Sequence, residues 1–322
     1  MPSPILLVGA FLISFVVAAV TGASSVSVSM APAVGSNSIT VLRGAFVVGA
    51  VGFVGAVAQG AAVTRGVGTE IVSGPVTFGM GTVALVVIGV FVGLGIYFEH
   101  SIPVAFSTFG AVAGVGFAAG YDPNLDYWTL TLGAWVASGV VAVVLAYGVT
   151  VALERLVPES PRVERWVDSA VLFAGVVFSF IGGGSQVGLA VGPLVGTVED
   201  LGFGLLSLMA FGGLGITLGA WVKSPVMLQA VGRQYASLGQ RTSLAVLVTA
   251  IPMVQVIANV LGVPISYNHI IINSIAGCGF AASGGGAGVD TRKYAGTLAS
   301  WVATLFGSTL TAYALYRATM LV

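Results

Sequence analysis

The residues best suited to chemistry lie in two short polar blocks set inside long apolar sequence. The first reads Gly22-Ala-Ser-Ser-Val-Ser-Val-Ser-Met-Ala-Pro-Ala-Val-Gly35 and the second Gly183-Gly-Ser-Gln-Val-Gly-Leu-Ala-Val-Gly-Pro-Leu-Val-Gly196. They stand 161 residues apart, half of the 322-residue chain, so that Pro32 falls on Pro193 and Gly35 on Gly196. Glycine lets a helix open, and the freed amide and hydroxyl groups must then find protein, water or ligand, because lipid offers no hydrogen bonds. Two readings follow. In one, the small residues serve close helix packing. In the other, Ser24, Ser25, Ser185 and Gln186 mark a pair of opposed half-helix N-termini whose amides and dipoles face an anion at the membrane midplane.

A second set of polar residues follows two prolines. Ser107 and Thr108 come after Pro103, and Ser266, Asn268 and His269 come after Pro264, each at the start of an apolar segment. Proline suits the first turn of a helix, where hydroxyl or amide side chains cap it or meet a ligand. His269 fits proton handling or a packed structural role equally well. Gln59, Gln255, Asn259 and Asn273 read as hydrogen-bonding links between helices. No pair of acidic, His or Cys residues has catalytic or metal-binding spacing, so neither an enzyme nor a metal or cofactor site is expected. Cys278 is alone, which excludes an internal disulfide.

The elements that must position these groups follow from composition. The chain has eleven Lys and Arg, eleven Asp and Glu, and 57% hydrophobic residues. That is far from a soluble domain, in which about a quarter of residues are charged. Uncharged stretches such as Ile71 to Phe98, Tyr127 to Leu153, Ser169 to Val198 and Thr242 to Asn268 exceed the ~20 residues needed to cross a bilayer. A multi-pass protein of the cell membrane is expected, with lipid as its surroundings. Without a basic patch, nucleic acid is not an expected partner. The first apolar segment lacks a positive leader and reads as a mature span.

Five apolar segments fit in each half. The first half offers about Pro4 to Val20, Gly44 to Ala62, Val76 to Phe98, Pro103 to Gly120 and Tyr127 to Val149. The second offers about Ser169 to Val198, Leu201 to Trp221, Thr242 to Leu261, Ile265 to Phe280 and Tyr294 to Leu315. Later landmarks also recur: Ile102-Pro-Val-Ala-Phe-Ser-Thr pairs with Val263-Pro-Ile-Ser-Tyr-Asn-His, and Thr131-Leu-Gly-Ala-Trp-Val-Ala with Thr297-Leu-Ala-Ser-Trp-Val-Ala. The division is residues 1–153, a charged connector 154–168 holding Glu154, Arg155, Glu159, Arg162, Glu164, Arg165 and Asp168, and residues 169–322.

If the connector is cytoplasmic and each half crosses five times, nine of the eleven basic residues fall on the cytoplasmic side, Arg43, Lys223, Arg233 and Arg241 among them. An odd number of crossings inserts the second copy upside down. The expected fold class is therefore an all-α polytopic membrane protein of two inverted repeats with broken or re-entrant helices.

With these residues in view, the chain resembles the inorganic phosphate transporter family, which includes a bacterial sulfate permease branch. That family carries two copies of Gly-Ala/Phe-Asn-Asp-x-Ala-Asn-Ala, the second usually followed by x-Gly-Pro, and two copies of Pro-Val-Ser-Thr-Thr-His. The clearest remnants are Ala190-Val-Gly-Pro193, Pro103-Val104, and Pro264-Ile-Ser266 with His269. Family Asn-Asp becomes Ser24-Ser25 and Ser185-Gln186, and the later Asn falls on Val28 and Leu189. The resemblance implies that sodium and phosphate bind through those Asp and Asn residues, so their loss argues against sodium coupling by the usual site. The block Gly22-Ala-Ser-Ser-Val-Ser-Val-Ser-Met looks closer to the sulfate permease branch.

Phosphate near neutral pH keeps a proton and benefits from a carboxylate or another acceptor, whereas sulfate is best served by donors alone. Neither block contains Asp or Glu, which favours sulfate over phosphate. The expectation is a secondary transporter of a tetrahedral oxyanion, sulfate or phosphate, with protons as a candidate coupling ion. Its substrate-binding candidates are Ser24, Ser25, Ser185, Gln186, Ser107, Thr108, Ser266 and Asn268. An anion channel or a non-transporting anion receptor is the alternative, and homo-oligomer formation stays open.

Overall fold

In the computed structural model, residues 2–98, 102–234, 239–282 and 289–321 are described. Among them ten principal helices form, five in each half. They are α1 (Pro4–Ser24), α2 (Val41–Gln59), α3 (Phe78–Tyr97), α4 (Val104–Ala118), α5 (Leu125–Leu156), α6 (Pro161–Val191), α7 (Leu205–Gln234), α8 (Gln240–Val254), α9 (Tyr267–Ala282) and α10 (Thr291–Thr319). The side chain of Arg233 lies outside the described residues.

The helices start where local chemistry supports a start. Ser3 and Ser160 cap α1 and α6 by accepting from the Leu6 and Val163 amides, each followed by proline in the first turn. Asn124 caps α5 and Asp290 caps α10 in the same way. Between Ser24 and Gly35 the chain tightens into a 3-10 turn over Val26–Met30 and a short helix over Ala31–Gly35.

Among the described residues, eight helical stretches are long and apolar enough to cross a membrane. The two that are not are α4, of 15 residues, and α9, of 16. At ~1.5 Å per residue they span roughly 22–24 Å, short of a ~30 Å hydrocarbon core. Both are buried almost throughout their described residues. Among the described residues each half thus has four long helices and one short internal helix, in keeping with about five segments per half. The charged connector is mostly helical too, since α5 runs to Leu156 and α6 begins at Pro161.

Packing is reciprocal between the halves. Helix α1 packs on α7 while α6 packs on α2, and α4 packs on α10 while α9 packs on α5. Within each half, α1 lies against α3 and α6 against α8, and α3 meets α4 as α8 meets α9. Exchanging each helix for its counterpart five numbers away in the other half thus converts one set of contacts into the other.

Glycine permits the closest of these approaches. A Cβ on Gly22 would lie 2.2 Å from the Ile216 carbonyl oxygen, and one on Gly183, its counterpart 161 residues later, 1.8 Å from that of Gly52. Each glycine is pressed against backbone of the other half, where any side chain would force the helices apart.

The two ends of the bundle are distinct. At the C-terminal end of α5, Arg241 donates to Glu164 at 2.8 Å and to the carbonyls of Val157 and Pro158. At the N-terminal end, Ser73 N–H bonds the Asp122 carbonyl and Asn124 reaches Glu70.

Candidate functional site

Helix α1 ends at Ser24, and Ser25 turns the chain into the 3-10 segment. Freed from the helix, the Ser25 hydroxyl donates to Gln186 Oε1 at 2.7 Å, joining two residues 161 positions apart. The Gln186 amide donates to the Ile265 carbonyl at 2.9 Å and to Ser185 Oγ at 3.2 Å. Ser25, Ser185 and Gln186 are wholly buried.

The second block does not break where the first one does. Helix α6 continues unbroken through Gly182–Gly188, and its 3-10 turn comes only at Gly192–Leu194. The physical reason lies on α2. Gly52 and Gly55, three residues apart and so on one helix face, abut the backbone of Gly183 and Phe180, and close packing holds α6 helical there. The helix N-terminus expected at the second block is therefore absent from Gly182–Gly188, and separate helix N-termini stand at the starts of α4 and α9.

Those two helices begin at Val104, just after Pro103, and at Tyr267, shortly after Pro264, and both starts are buried inside the bundle. Asn268 Nδ2 donates to the Ile102 carbonyl at 3.4 Å. Thr108 Oγ1 donates to Leu189 of α6 at 3.2 Å, one turn from Gln186, and Ser266 directly follows the Ile265 carbonyl that Gln186 holds. Tyr267 is fully buried, stacks on Phe178 at 4.3 Å and donates its hydroxyl to the Phe178 carbonyl at 2.8 Å. Backbone amides in the first turn of a helix lack intrahelical partners and carry the positive end of its dipole.

Ten buried polar side-chain atoms among the described residues have no hydrogen-bond partner, and four of them are Ser107 Oγ, Ser266 Oγ, Asn268 Oδ1 and His269 Nδ1. All four belong to the first turn of α4 or the start of α9. Buried polar groups are nearly always hydrogen-bonded, so orphans at the starts of two buried helices mark a place suited to something that brings its own hydrogen-bonding atoms.

Of the eight expected substrate residues, hydrogen bonds join Ser25, Gln186 and Ser185, while Thr108 and Asn268 bond the Leu189 and Ile102 carbonyls. Ser24 stands apart, its hydroxyl spent on the Val20 carbonyl inside α1. Ser107 and Ser266 have free hydroxyls, while Ser25, Gln186 and Ser185 are held by protein. Sequence reasoning passed over Tyr267, Ser179 and Ser138. Ser179 bonds Ser29 at 2.8 Å, and Ser138 lies 3.5 Å from His269 Nε2. The recurrence of Pro-x-x-x around Pro103 and Pro264 flagged the segment containing Tyr267, but its counterpart Phe106 has no hydroxyl and gave no polar signal. His269 also packs against Phe106 and Trp301, at ring-centroid distances of 5.9 and 5.2 Å.

A bundle of membrane-crossing helices enclosing two short buried helices defines a multi-pass membrane protein with buried polar groups at its centre. A profile of the phosphate transporter family matches residues 21–161 and 156–312, and the chain belongs to that family. It is 28% identical over 288 residues to the sulfate permease CysP of Bacillus subtilis, a match covering 85% of this chain and 77% of that one. It is 26% identical over 161 residues to the sodium-dependent phosphate transporter 1-B of Danio rerio, covering 47% of this chain and 24% of that one. The solved structure of the sodium-dependent phosphate transporter has the same fold, with a TM-score of 0.86 at 20% identity over 98% of this chain and 99% of that one.

Proposed function

We propose that this protein is a secondary transporter, not an enzyme, that carries a tetrahedral inorganic oxyanion, with sulfate preferred, through a site between the first turns of α4 and α9. The observation that carries the reading is the set of unpartnered atoms there. The Ser107 and Ser266 hydroxyls, with the early amides of both helices, are donors that a desolvated oxyanion can satisfy. Ser25 and Gln186 form the wall beside them. No carboxylate stands among these residues, which fits an anion without protons. The relative named as a sulfate permease supports the same choice.

Phosphate is the second reading, favoured by Asn268 Oδ1 and His269 Nδ1. Both are unpartnered and able to accept the proton that phosphate retains. Relatives named as phosphate transporters support it equally.

Residues 1–153 and 169–322 are proposed as two units joined by the connector 154–168 and related by a two-fold axis in the membrane plane. Reciprocal packing of the halves supports this relation, and inverted units of this kind are the basis of alternating access. The eight candidate residues are at most 4% exposed, so the conformation described is closed around them. Loading requires one group of helices to move against the other.

Sulfate and phosphate uptake into proteoliposomes, under separately imposed sodium and proton gradients, tests the proposal. Saturable uptake of either anion supports a carrier. Unsaturable current indicates a channel, and binding without flux indicates a receptor.

A further inference from the structure

On one flank the bundle opens into a cleft of about 660 Å³ between α5 and α10. Its volume falls in the ~300–1,000 Å³ range of sites for small organic molecules. Its walls are aliphatic, with Val140 of α5 and Val302 of α10 at the mouth, 62% and 55% exposed. Phe106, Trp135 and Trp301 form an aromatic floor, in which Phe106 stacks on Trp135 at 3.9 Å and meets Trp301 edge-on.

Apart from His269 Nδ1, polar side-chain atoms lining the cleft are spoken for. The Trp135 indole N–H donates to the Pro264 carbonyl at 2.7 Å, so the ring offers only its apolar surface. Asn273 donates to the His269 carbonyl and accepts from the Tyr294 hydroxyl. Water needs two to four polar partners to fill such a space, and an anion needs donors, so the lining suits neither. Helices α5 and α10 both cross the membrane, and the mouth between them therefore borders hydrocarbon. Bilayer chains can reach the cleft without leaving the apolar phase.

We propose that this cleft holds an acyl chain of a membrane lipid, lying against Trp135 and Trp301 directly behind the first turns of α4 and α9. Phe106 and His269 belong to those turns and also line the cleft. The chain would brace the two helix N-termini from the lipid side, and membrane composition would act on the internal site through it.

The test uses fluorescence. The chain has five tryptophans, and Trp128→Phe, Trp166→Phe and Trp221→Phe together leave only Trp135 and Trp301. This variant is reconstituted into phosphatidylcholine vesicles with brominated or unbrominated chains. Most of its emission should be lost in the brominated vesicles and recovered when Val140→Phe and Val302→Phe fill the mouth. Equal emission in the two vesicle types overturns the proposal, as does shielding from bromine that appears only when the protein self-associates, since a second copy would then cover the cleft. Native mass spectrometry of the otherwise unmodified chain gives an independent reading should the tryptophan variant misfold. A retained phospholipid should be present in wild type and lost in V140F/V302F, and the same lipid content in both overturns the proposal.

Discussion

Ser25 and Gln186 are counterparts in the two halves of the chain, 161 residues apart, and they hydrogen-bond to each other at 2.7 Å. Equivalent residues of two related units can touch only where the units meet, so this bond lies at the centre of the proposed two-fold arrangement. It also gives the two residues different tasks. Ser25 spends its proton on Gln186, and Gln186 spends both amide protons on Ser185 and Ile265.

Replacing Gln186 by Leu should therefore cost stability as well as affinity. It strands the Ser25 hydroxyl and the Ile265 carbonyl in the protein interior, at roughly 1–3 kcal/mol for each unsatisfied group. Thermal unfolding of the detergent-purified variant should shift down, and anion affinity should fall. Replacement by Glu should weaken anion binding further, because an ionised carboxylate repels the ligand. Unchanged unfolding and wild-type affinity would remove Gln186 from both roles.

Ser107→Ala and Ser266→Ala should behave in the opposite way. Their hydroxyls have no protein partner to lose, so stability should hold or rise slightly, whereas a charge-assisted bond to the anion is worth roughly 1.5–3 kcal/mol, or about ten- to a hundredfold in affinity. Titration of sulfate and of phosphate into each variant measures this. Wild-type affinity in both variants would place the anion elsewhere.

Gly183→Ala should destabilise without any direct effect on the anion. Its new methyl group would sit 1.8 Å from the Gly52 carbonyl oxygen, so α2 and α6 must separate, at a cost typical of an overpacked core of about 1–3 kcal/mol. Gly9, with nothing within 4 Å of a built Cβ, is the control at which alanine should be neutral. Equal unfolding temperatures for the two variants would refute the packing role.

Uptake should not depend strongly on sodium. The positions at which the family pattern has Asn-Asp hold Ser24-Ser25 and Ser185-Gln186 in this chain, which removes the carboxylates that pattern supplies. Flux in sodium and in choline at fixed pH should be similar, with a proton gradient the more effective drive. Strict sodium dependence would require a cation site built from other groups.

Much of this arrangement was legible in the sequence, for definite physical reasons. The 161-residue offset pairs Ser25 with Gln186 because duplicated units keep their landmarks in register. The two prolines revealed the starts of α4 and α9, since proline favours a helical first turn. The continuity of α6 through Gly182–Gly188 was not legible. A glycine row reads the same whether it opens a helix or lets another helix approach, and only the matching Gly52 and Gly55 on α2 decide between them. Nor could sequence separate Ser24, bonded within its own helix, from Ser25 beside it, because that difference arises at the turn where α1 ends.

The reciprocal packing has a consequence for how the protein is made. Helices α1, α2, α4 and α5 find major partners in α7, α6, α10 and α9, all of which emerge later from the ribosome. The first half must therefore wait in the bilayer with its glycine-lined faces against lipid, and α4, too short to span, must wait for α10. A nascent chain stopped before Thr291 lacks α10 altogether. Assembly is thus a late event of synthesis, and truncations near the C-terminus should be as damaging as those in the middle of the chain.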